Sequence, residues 1–425
     1  MLFSNYRPVS VLPVFSKIFE RIMHNRLLKF INQHNILYDY QFGFRGDHSP
    51  NLALLFLVDK ISNALENGEY VMGLFLDFSK AFDTVNHDIL FTKLKFYGIR
   101  GTALDWFESY LSNRMQYVEY NGVQSSKQRI SCGVPQGSIL GPILFLLYIN
   151  DLASVSEKLF AILFADDSNM FLTGKNPNDL VTIMNEEIKH VTDWLTVNKL
   201  SLNLKKTHYI IFHKQRAKFS ISEELIIGGM KIEMKSCTKF LGVMIDKCLT
   251  FKDHINYIIG KISRGLGILY RCKRFFNHKT LLTLYNAFIY PYLTYCIPVW
   301  GNTCVTYLDP LVKAQKRAIR VIAGVKRYEH TDPLFRKMKI LKTEQIYIYM
   351  VQLFMFKQHH TMLPSVFECF FDRNLDFHSY PTRIGNLFRP PPVKTDLLER
   401  FIRVMGVRSW KYFSNHLSVD CSLLS

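Results

Sequence analysis

The chain has 425 residues, 48% of them hydrophobic, enough for two or three packed domains, which excludes a largely disordered polypeptide. Its formal charge of +18 is uneven: residues 1–200 sum to −2 and residues 201–425 to +20, which suits a polyanionic partner on the second half, with an acidic membrane surface as the competing reading. The eight cysteines are scattered without a C-x-x-C or a zinc spacing, so they read as reduced, mostly buried thiols of an intracellular protein, in nucleus or cytoplasm. The opening "MLFSNYRPVS" lacks a secretory pattern. The longest apolar run, 139–149, is too short to span a bilayer and carries Gly141 and Pro142, so no membrane association is expected.

In chain order, Leu52, Leu55, Val58, Ile61 and Leu65 predict a helix. An apolar strand over 71–76 runs into Asp77 and then a turn into a helix. Within "SCGVPQGSILGPILFLLYINDL" (131–152), Pro135-Gln136-Gly137 predicts a tight bend free of bulky side chains, followed by a hydrophobic helix that would pack under a sheet. Strands over 159–165 and 169–172 flank Asp166-Asp167 as a hairpin. Val181, Met184, Ile188, Val191 and Leu195 predict a helix with Asn178 as its N-cap, and 209–213 and 239–245 read as further strands. Between residues 70 and 213 the order is therefore strand, helix, helix, strand, strand, helix, strand: an α+β pattern close to a split βαβ sheet.

From about residue 255 the chain reads as helical. In "LDPLVKAQKRAIRVIAG" (308–324) Asp309 would cap, Pro310 would take the first helical position and Gly324 would end the helix. Lys313, Lys316, Arg317 and Arg320 share one face, and Leu311, Ala318 and Ile322 another; for this helix alone a solvated face is the simpler reading. Residues 373–394 form a Pro- and Arg-containing connector.

Two adjacent carboxylates at 166–167 in an apolar setting repel unless they face water or a cation. Asp77 ends another apolar strand. Three carboxylates delivered by neighbouring strand ends can hold two Mg²⁺ about 3.5–4 Å apart, the arrangement that serves in-line phosphoryl displacement. Oxygen donors suit magnesium, and the lack of a His/Cys cluster argues against zinc. Each aspartate alone reads as an ordinary turn residue; Pro-Gln-Gly lying between two acid-tipped strands favours the metal reading.

These segments resemble the reverse transcriptases of non-LTR retrotransposons of the LINE or Jockey-like kind, RNA-directed DNA polymerases of mobile elements. "NYRPVSVLPVFSKIFERIMHNRL" and "QFGFR" (41–45) resemble the family's first two blocks, and "LFLDFSKAFDTVNH" its motif A. "GVPQGSILGPILFLLYINDL" resembles motif B, "FADD" motif C, "WLTVNKLSLNLKKT" motif D and "FLGVMID" the primer grip. "YCIPVWG" and the 311–324 helix resemble the downstream region more weakly.

The resemblance implies an α+β right-hand polymerase fold: partial, N-terminally truncated fingers at 1–70, a palm with motifs A to E at 71–250, a basic helical thumb at 251–330 and a C-terminal helical extension at 331–425. It implies Asp77, Asp166 and Asp167 as ligands of two Mg²⁺ ions (Mn²⁺ an alternative), with the Phe78 carbonyl helping. Phe82 would exclude the ribose 2′-OH, with a core Phe as the competing reading. Gln136 and Gly137 would line the nascent base pair. Arg45 would grip the triphosphate, an exposed surface Arg being the competing reading. Lys206 would protonate pyrophosphate, with Lys205 a close competitor, while Asp83 reads as a helix-start residue. Lys261, Arg264, Arg271, Lys273 and Arg274, then Lys313, Lys316, Arg317 and Arg320, would hold the template–primer duplex. The implied partners are an RNA template, a DNA primer and dNTPs. Two further readings stand beside this one: a catalytically inactive retroelement remnant that only binds nucleic acid, and a metal-dependent phosphatase or nuclease using the same acids.

Overall fold

A computed structural model describes residues 9–376 and 387–414. Helix α1 (Val14–Gln33) is followed by α2 (Pro50–Glu66), β1 (Tyr70–Asp77), a 3-10 turn at Ala81–Asp83, α3 (His87–Phe96) and α4 (Thr102–Leu111). Four two-residue strands come next: β2 (Met115–Gln116), β3 (Glu119–Tyr120), β4 (Val123–Gln124) and β5 (Gln128–Arg129). Then follow α5 (Gly141–Ile149), β6 (Phe160–Phe164), β7 (Asp167–Gly174), α6 (Pro177–Val197) and β8 (His208–Phe212). Short strands β9 (Ile226–Ile227), β10 (Met230–Lys231) and β11 (Glu233–Met234) lead to the hairpin β12 (Cys237–Phe240) and β13 (Val243–Asp246). The remainder is mainly helical: α7 (Lys252–Cys272), α8 (His278–Phe288), α9 (Tyr290–Thr294), α10 (Ile297–Trp300), α11 (Val305–Ala323), α12 (Asp332–Met338) and α13 (Thr343–His359). A small ladder of β14 (Asp372–Arg373) and β15 (Phe388–Arg389) precedes α14 (Asp396–Glu399) and α15 (Ile402–Ser414). The chain is α+β, as expected.

Two compact units divide it: Met1–Gly46, Met72–Tyr209 and Phe219–Met234 form the first, and Asp47–Val71, Ile210–Lys218 and Lys235–Ser425 the second. The first unit carries β6, β7, β11 and β1 from Met72 onward, in a sheet of order β11-β8-β1-β7-β6. β6 and β7 pair antiparallel, from Phe160 with Phe171 to Phe164 with Asp167. The β8-β1-β7-β6 core is a split βαβ unit: β7 turns back from β6 and inserts beside β1. β1 is buried on both faces from Val71 to Leu76, so its sequence is a continuous apolar run rather than an alternation. α5 is apolar all round and buries every residue except Pro142, as a helix enclosed by protein must.

Three α-helices, not two, lie between β1 and β6, because Thr102–Leu111 forms its own short helix. The cap of α6 is Asn176, whose side chain accepts from Asn178 N–H at 3.1 Å; Asn178 instead bonds to Ser220 and Ser222. β7 begins at Asp167, two residues earlier than its apolar pattern, because an edge-of-bend acid can still pair through its backbone.

In the second unit, α2 starts at a Ser49 cap and buries twelve of its seventeen residues. The 239–245 run is not one strand. Leu241 (φ 44°) and Gly242 (φ 84°) turn it into the β12–β13 hairpin, with both central residues left-handed as a tight two-residue turn requires. The Asp246 carboxylate closes this hairpin onto α7, accepting from the N–H groups of Cys248, Thr250 and Phe251. α7 buries Ile255, Ile258, Ile262, Leu266 and Leu269, and packs on α11. α11 begins at Val305, so Asp309 and Pro310 lie inside its first turns rather than at its cap; Gly324, left-handed at φ 69°, ends it as expected.

Of the seven described cysteines only Cys296 is buried; Cys132 and Cys369 are exposed and the rest are half-buried, at element ends where cover is partial. The 373–394 connector falls partly outside the described residues; its flanks are pinned by the Asp372–Arg389 and Arg373–Phe388 pairs. Among the described residues no helix is long and apolar enough to cross a membrane.

Asp59 of α2 is buried, with Arg403 Nε of α15 at 3.0 Å and Asn63 donating at 3.0 Å. Burial pushes its carboxyl up to about 6, against the opposing pull of Arg403 and Lys60. A native carboxyl that holds its proton more tightly than the unfolded chain does adds stability below the unfolded value, and loses it as pH rises through the folded one. Wild type should therefore lose about 2–3 kcal/mol relative to Asp59→Asn between about pH 4 and about pH 7. Urea unfolding of both across that range checks this; parallel pH profiles would refute it.

Candidate active site at one end of the first unit's sheet

Asp77 sits where β1 leaves its buried course. The antiparallel bridge of Phe78 with Leu202 extends the strand by a short segment: Asn203 N–H donates to the Asp77 carbonyl at 2.7 Å, and Ser79 N–H to Ser201 at 2.9 Å. These bonds use the Asp77 and Ser201 carbonyls and leave the Phe78 carbonyl outside the bridge. The same segment brings in Lys206, whose Nζ stands 3.6 Å from Asp77 Oδ2.

The β6–β7 bend is held from below by Gln41. Gln41 bridges Leu163 in parallel, and its buried Oε1 accepts from Gly43 N–H at 2.9 Å and Ala165 N–H at 3.1 Å. Ala165 takes a left-handed conformation (φ 54°), so the bend turns within Ala165 and Asp166. A Cβ on Gly43 would lie 2.4 Å from Ala165 N. The next ring, Phe44, meets Phe82 edge-on at 6.4 Å, and Phe82 stacks on Phe145 of α5 at 4.4 Å. Phe82 follows Asp77 by five residues, so this chain of contacts puts the bend and the end of β1 at the same end of the sheet. Phe75 and Phe171 meet edge-on at 5.9 Å across β1 and β7; alternation then gives Asp77 and Asp167 the same sheet face.

Asp77 and Asp166 are half-buried and Asp167 is exposed. The three share an end of the sheet without forming a closed cluster. Among the described residues no three His, Cys, Asp or Glu side chains stand close enough to hold one metal ion. The donor set, carboxylates with a backbone carbonyl at hand, is of the oxygen kind that hard divalent cations take.

The Pro-Gln-Gly bend docks on the chain that leaves β1. Val134 N–H donates to Phe82 at 2.8 Å and Gly133 N–H to Val85 at 2.7 Å. Gln136 Nε2 donates to Asp83 Oδ1 at 3.0 Å, and Ser10 N–H to the Gln136 carbonyl at 2.8 Å. Gly137 is left-handed at φ 100°, with Ser10 O 3.2 Å from where its Cβ would be. Asp83 thus positions Gln136, a role the sequence does not reveal because its partner lies 53 residues away. Phe82 lies on a 3-10 turn, not on the helix expected after motif A. Beside the bend lies a cleft of about 330 Å³ lined by Lys80, Asp83, Arg114, Arg129, Cys132 and Gln136 among others.

Arg45 braces its own loop: Nη1 donates to the carbonyls of Tyr38 at 2.9 Å and Gln41 at 3.3 Å, and burial lowers its pKa from the ordinary value. The basic residues expected on the nucleic acid belong to the second unit. Lys261 and Arg264 lie on α7, Arg271 in its last turn, and Lys273 and Arg274 just beyond it. On α11, Lys313 pairs with Asp309 and Arg320 Nε donates to the Glu329 carbonyl at 2.9 Å, while Arg317 is exposed and Lys316 half-buried.

Residues 3–245 match the reverse transcriptase (RNA-dependent DNA polymerase) family, more than half of the chain, and the chain belongs to that family. Over 346 residues it is 28% identical to the probable RNA-directed DNA polymerase from transposon X-element of Drosophila melanogaster, a match covering 79% of this chain and 37% of that protein. It is 29% identical over 349 residues to the RNA-directed DNA polymerase from mobile element jockey of the same fly, covering 80% of this chain and 38% of that protein. The expected kinship with Jockey-like elements is thus borne out, and the chain spans well under half the length of these curated relatives. Apo telomerase from Candida tropicalis overlaps 80% of this chain and 57% of its own at 13% identity and a TM-score of 0.40, too loose to carry any residue across.

Gly43→Ala should displace the Phe164–Ala165 bend, because the obstructing atoms are backbone. A loss of roughly 1–3 kcal/mol in urea unfolding is expected; unchanged stability would show that the loop and the bend are not in register.

Proposed function

We propose that this chain is the polymerase core of a non-LTR retrotransposon reverse transcriptase, extending a primer 3′-OH with dNTPs on an RNA template. The observation that carries this is the meeting, at one sheet end, of the β1 terminus, the Asp166-Asp167 bend and the Pro-Gln-Gly loop, in a chain of the reverse transcriptase family. On this reading residues 1–70 serve as fingers, 71–250 as palm, 251–330 as thumb and 331–425 as an extension.

Asp77, Asp166, Asp167 and the Phe78 carbonyl would hold two Mg²⁺, or Mn²⁺, which when bound supply the charge that activates the primer hydroxyl and steadies departing pyrophosphate. The primer 3′-hydroxyl gives its proton to solvent and its oxygen bonds to the α-phosphorus as the bond from that phosphorus to the α–β bridging oxygen breaks. Lys206 gives its proton to the leaving oxygen, a transfer its ammonium can make from beside Asp77. Phe82, meeting Phe44 edge-on and stacked on Phe145, stands against a ribose 2′-OH. Gln136, fixed by Asp83, lines the nascent pair with Gly137, and Arg45 meets the triphosphate. Lys261, Arg264, Arg271, Lys273, Arg274, Lys313, Lys316, Arg317 and Arg320 hold the template–primer by its phosphates, which fixes position without reading sequence.

Primer extension on poly(rA)–oligo(dT) tests the reading. Wild type should incorporate dTTP with Mg²⁺ or Mn²⁺, and Asp77→Asn or Asp166→Asn should cut incorporation at least ~100-fold. No wild-type incorporation with either ion, with binding intact, would favour a remnant that only binds nucleic acid. Incorporation surviving Asp166→Asn would overturn the carboxylate assignment.

Phe82→Ala should lower the preference for dNTP over rNTP roughly 10- to 100-fold, through rNTP incorporation rather than loss of dNTP use. Single-nucleotide incorporation with each substrate measures it, and unchanged discrimination would make Phe82 a packing residue only.

A further inference from the structure

Between Asp253 and Asp309 lie 55 residues without a single carboxylate side chain, while Lys261, Arg264, Arg271, Lys273, Arg274 and Lys279 all fall there. The α7–α8 turn stands inside this stretch, within the second unit. It is tightly built. Phe275 and Phe276 N–H both donate to the Cys272 carbonyl, at 3.0 and 3.1 Å. Asn277 then caps α8, its side chain accepting from Thr280 N–H at 3.0 Å and Thr280 Oγ1 at 3.1 Å.

This turn holds its rings outward. Phe275 is 82% exposed, Phe276 48% and Tyr270 50%. Lys273 Nζ lies over the Tyr270 ring at 5.2 Å, and neither phenylalanine packs on another aromatic among the described residues. Arg271, Lys273, Arg274 and Lys279 are exposed around them. Two neighbouring phenyl rings in water cost free energy that nothing within the turn recovers. A duplex offers such a turn its phosphates but no open base faces. An unpaired strand offers both, since bases stack on flat rings while the phosphates meet the surrounding cations.

We propose that the α7–α8 turn is a binding site for single-stranded nucleic acid, with unpaired bases stacked on Phe275, Phe276 and Tyr270 and the backbone held by Arg271, Lys273, Arg274 and Lys279. The choice of nucleic acid over an anionic membrane rests on the polymerase reading above, which gave these cations only duplex phosphates to hold. The turn gives the chain a preference for unpaired strands that is separate from catalysis.

The test is binding by the full chain, without dNTP, to a fluorescent 12-nucleotide pyrimidine strand and to an abasic strand of the same length and charge. RNA and DNA versions run as parallel arms. Wild type should bind the base-bearing strand roughly tenfold tighter than the abasic one or better. Phe275→Ala/Phe276→Ala should remove most of that difference and leave abasic binding and its salt slope unchanged. Phe275→Trp/Phe276→Trp should restore the difference. Equal binding of both strands by wild type, or an equal loss on both in the alanine variant, would overturn the stacking site. So would partition onto phosphatidylserine vesicles that the alanine variant loses while strand binding persists; that outcome would assign the turn to a membrane. Because no incorporation is measured, a chain that fails the extension assay can still pass this one, and an active polymerase can fail it.

Discussion

One buried amide, Gln41, governs where the first unit can carry charge. Its carbonyl oxygen accepts from two backbone N–H groups that belong to different segments, the Gly43 loop and the Ala165 bend. An N–H left without a partner in that interior would cost about 1–3 kcal/mol, so the two segments are tied through one side chain. The tie is tightened by Gly43, where no Cβ fits. The hairpin bend therefore cannot drift along β6, and Asp166 and Asp167 stay at a fixed height relative to β1. The relation of Asp77 to the 166–167 pair depends on that height.

The same economy explains why the carboxylates of β1, β6 and β7 stand only at strand ends. β1 and β6 are covered on both faces, and a charge placed along either would be desolvated without a partner. Within such a sheet a carboxylate meets water only where the strands run out. Asp77 and the 166–167 pair occupy two such endings, and the Phe44–Phe82–Phe145 contacts bring those endings together. The Pro-Gln-Gly loop joins them by backbone bonds to residues 82–85 rather than by burial, which is why a loop containing two left-handed glycines serves there.

Much of this was legible from residue patterns. The apolar runs at 71–76 and 159–165 announced buried strands because burial on both faces leaves only one kind of composition. The acids at their ends stood out against that background, and the ordered blocks pointed to the family. What stayed hidden were relations between distant positions. Nothing local marks Asp83 as the partner of Gln136, or Gln41 as the clamp of a bend 124 residues away. The 239–245 run read as one strand because its turn uses Leu241, a residue with no turn signature; Gly242 was the only hint. Asn176 and Asn178 both have capping chemistry, and only the backbone decides which lies outside the helix. Expected burial of the cysteines failed for a related reason: a small apolar side chain at the end of an element is covered only as far as its neighbours reach.

Two ion pairs, one in each unit, show how burial separates a structural contact from an exchangeable one. Asp59 and Arg403 meet with 4% and 25% of their side chains exposed, and Asp77 and Lys206 with 38% and 67%. Removing either partner of the first leaves a charge stranded in low dielectric, so that pair cannot be traded without disturbing the second unit's core. The second is an exposed contact of the kind worth about 0–1 kcal/mol, because water already solvates both groups. A carboxylate countered that weakly can give up its ammonium to any stronger cation at almost no cost. The Lys206 side chain in turn stays tethered to the strand segment that pairs with β1. A salt bridge buried at position 77 would instead hold its partner as firmly as Asp59 holds Arg403.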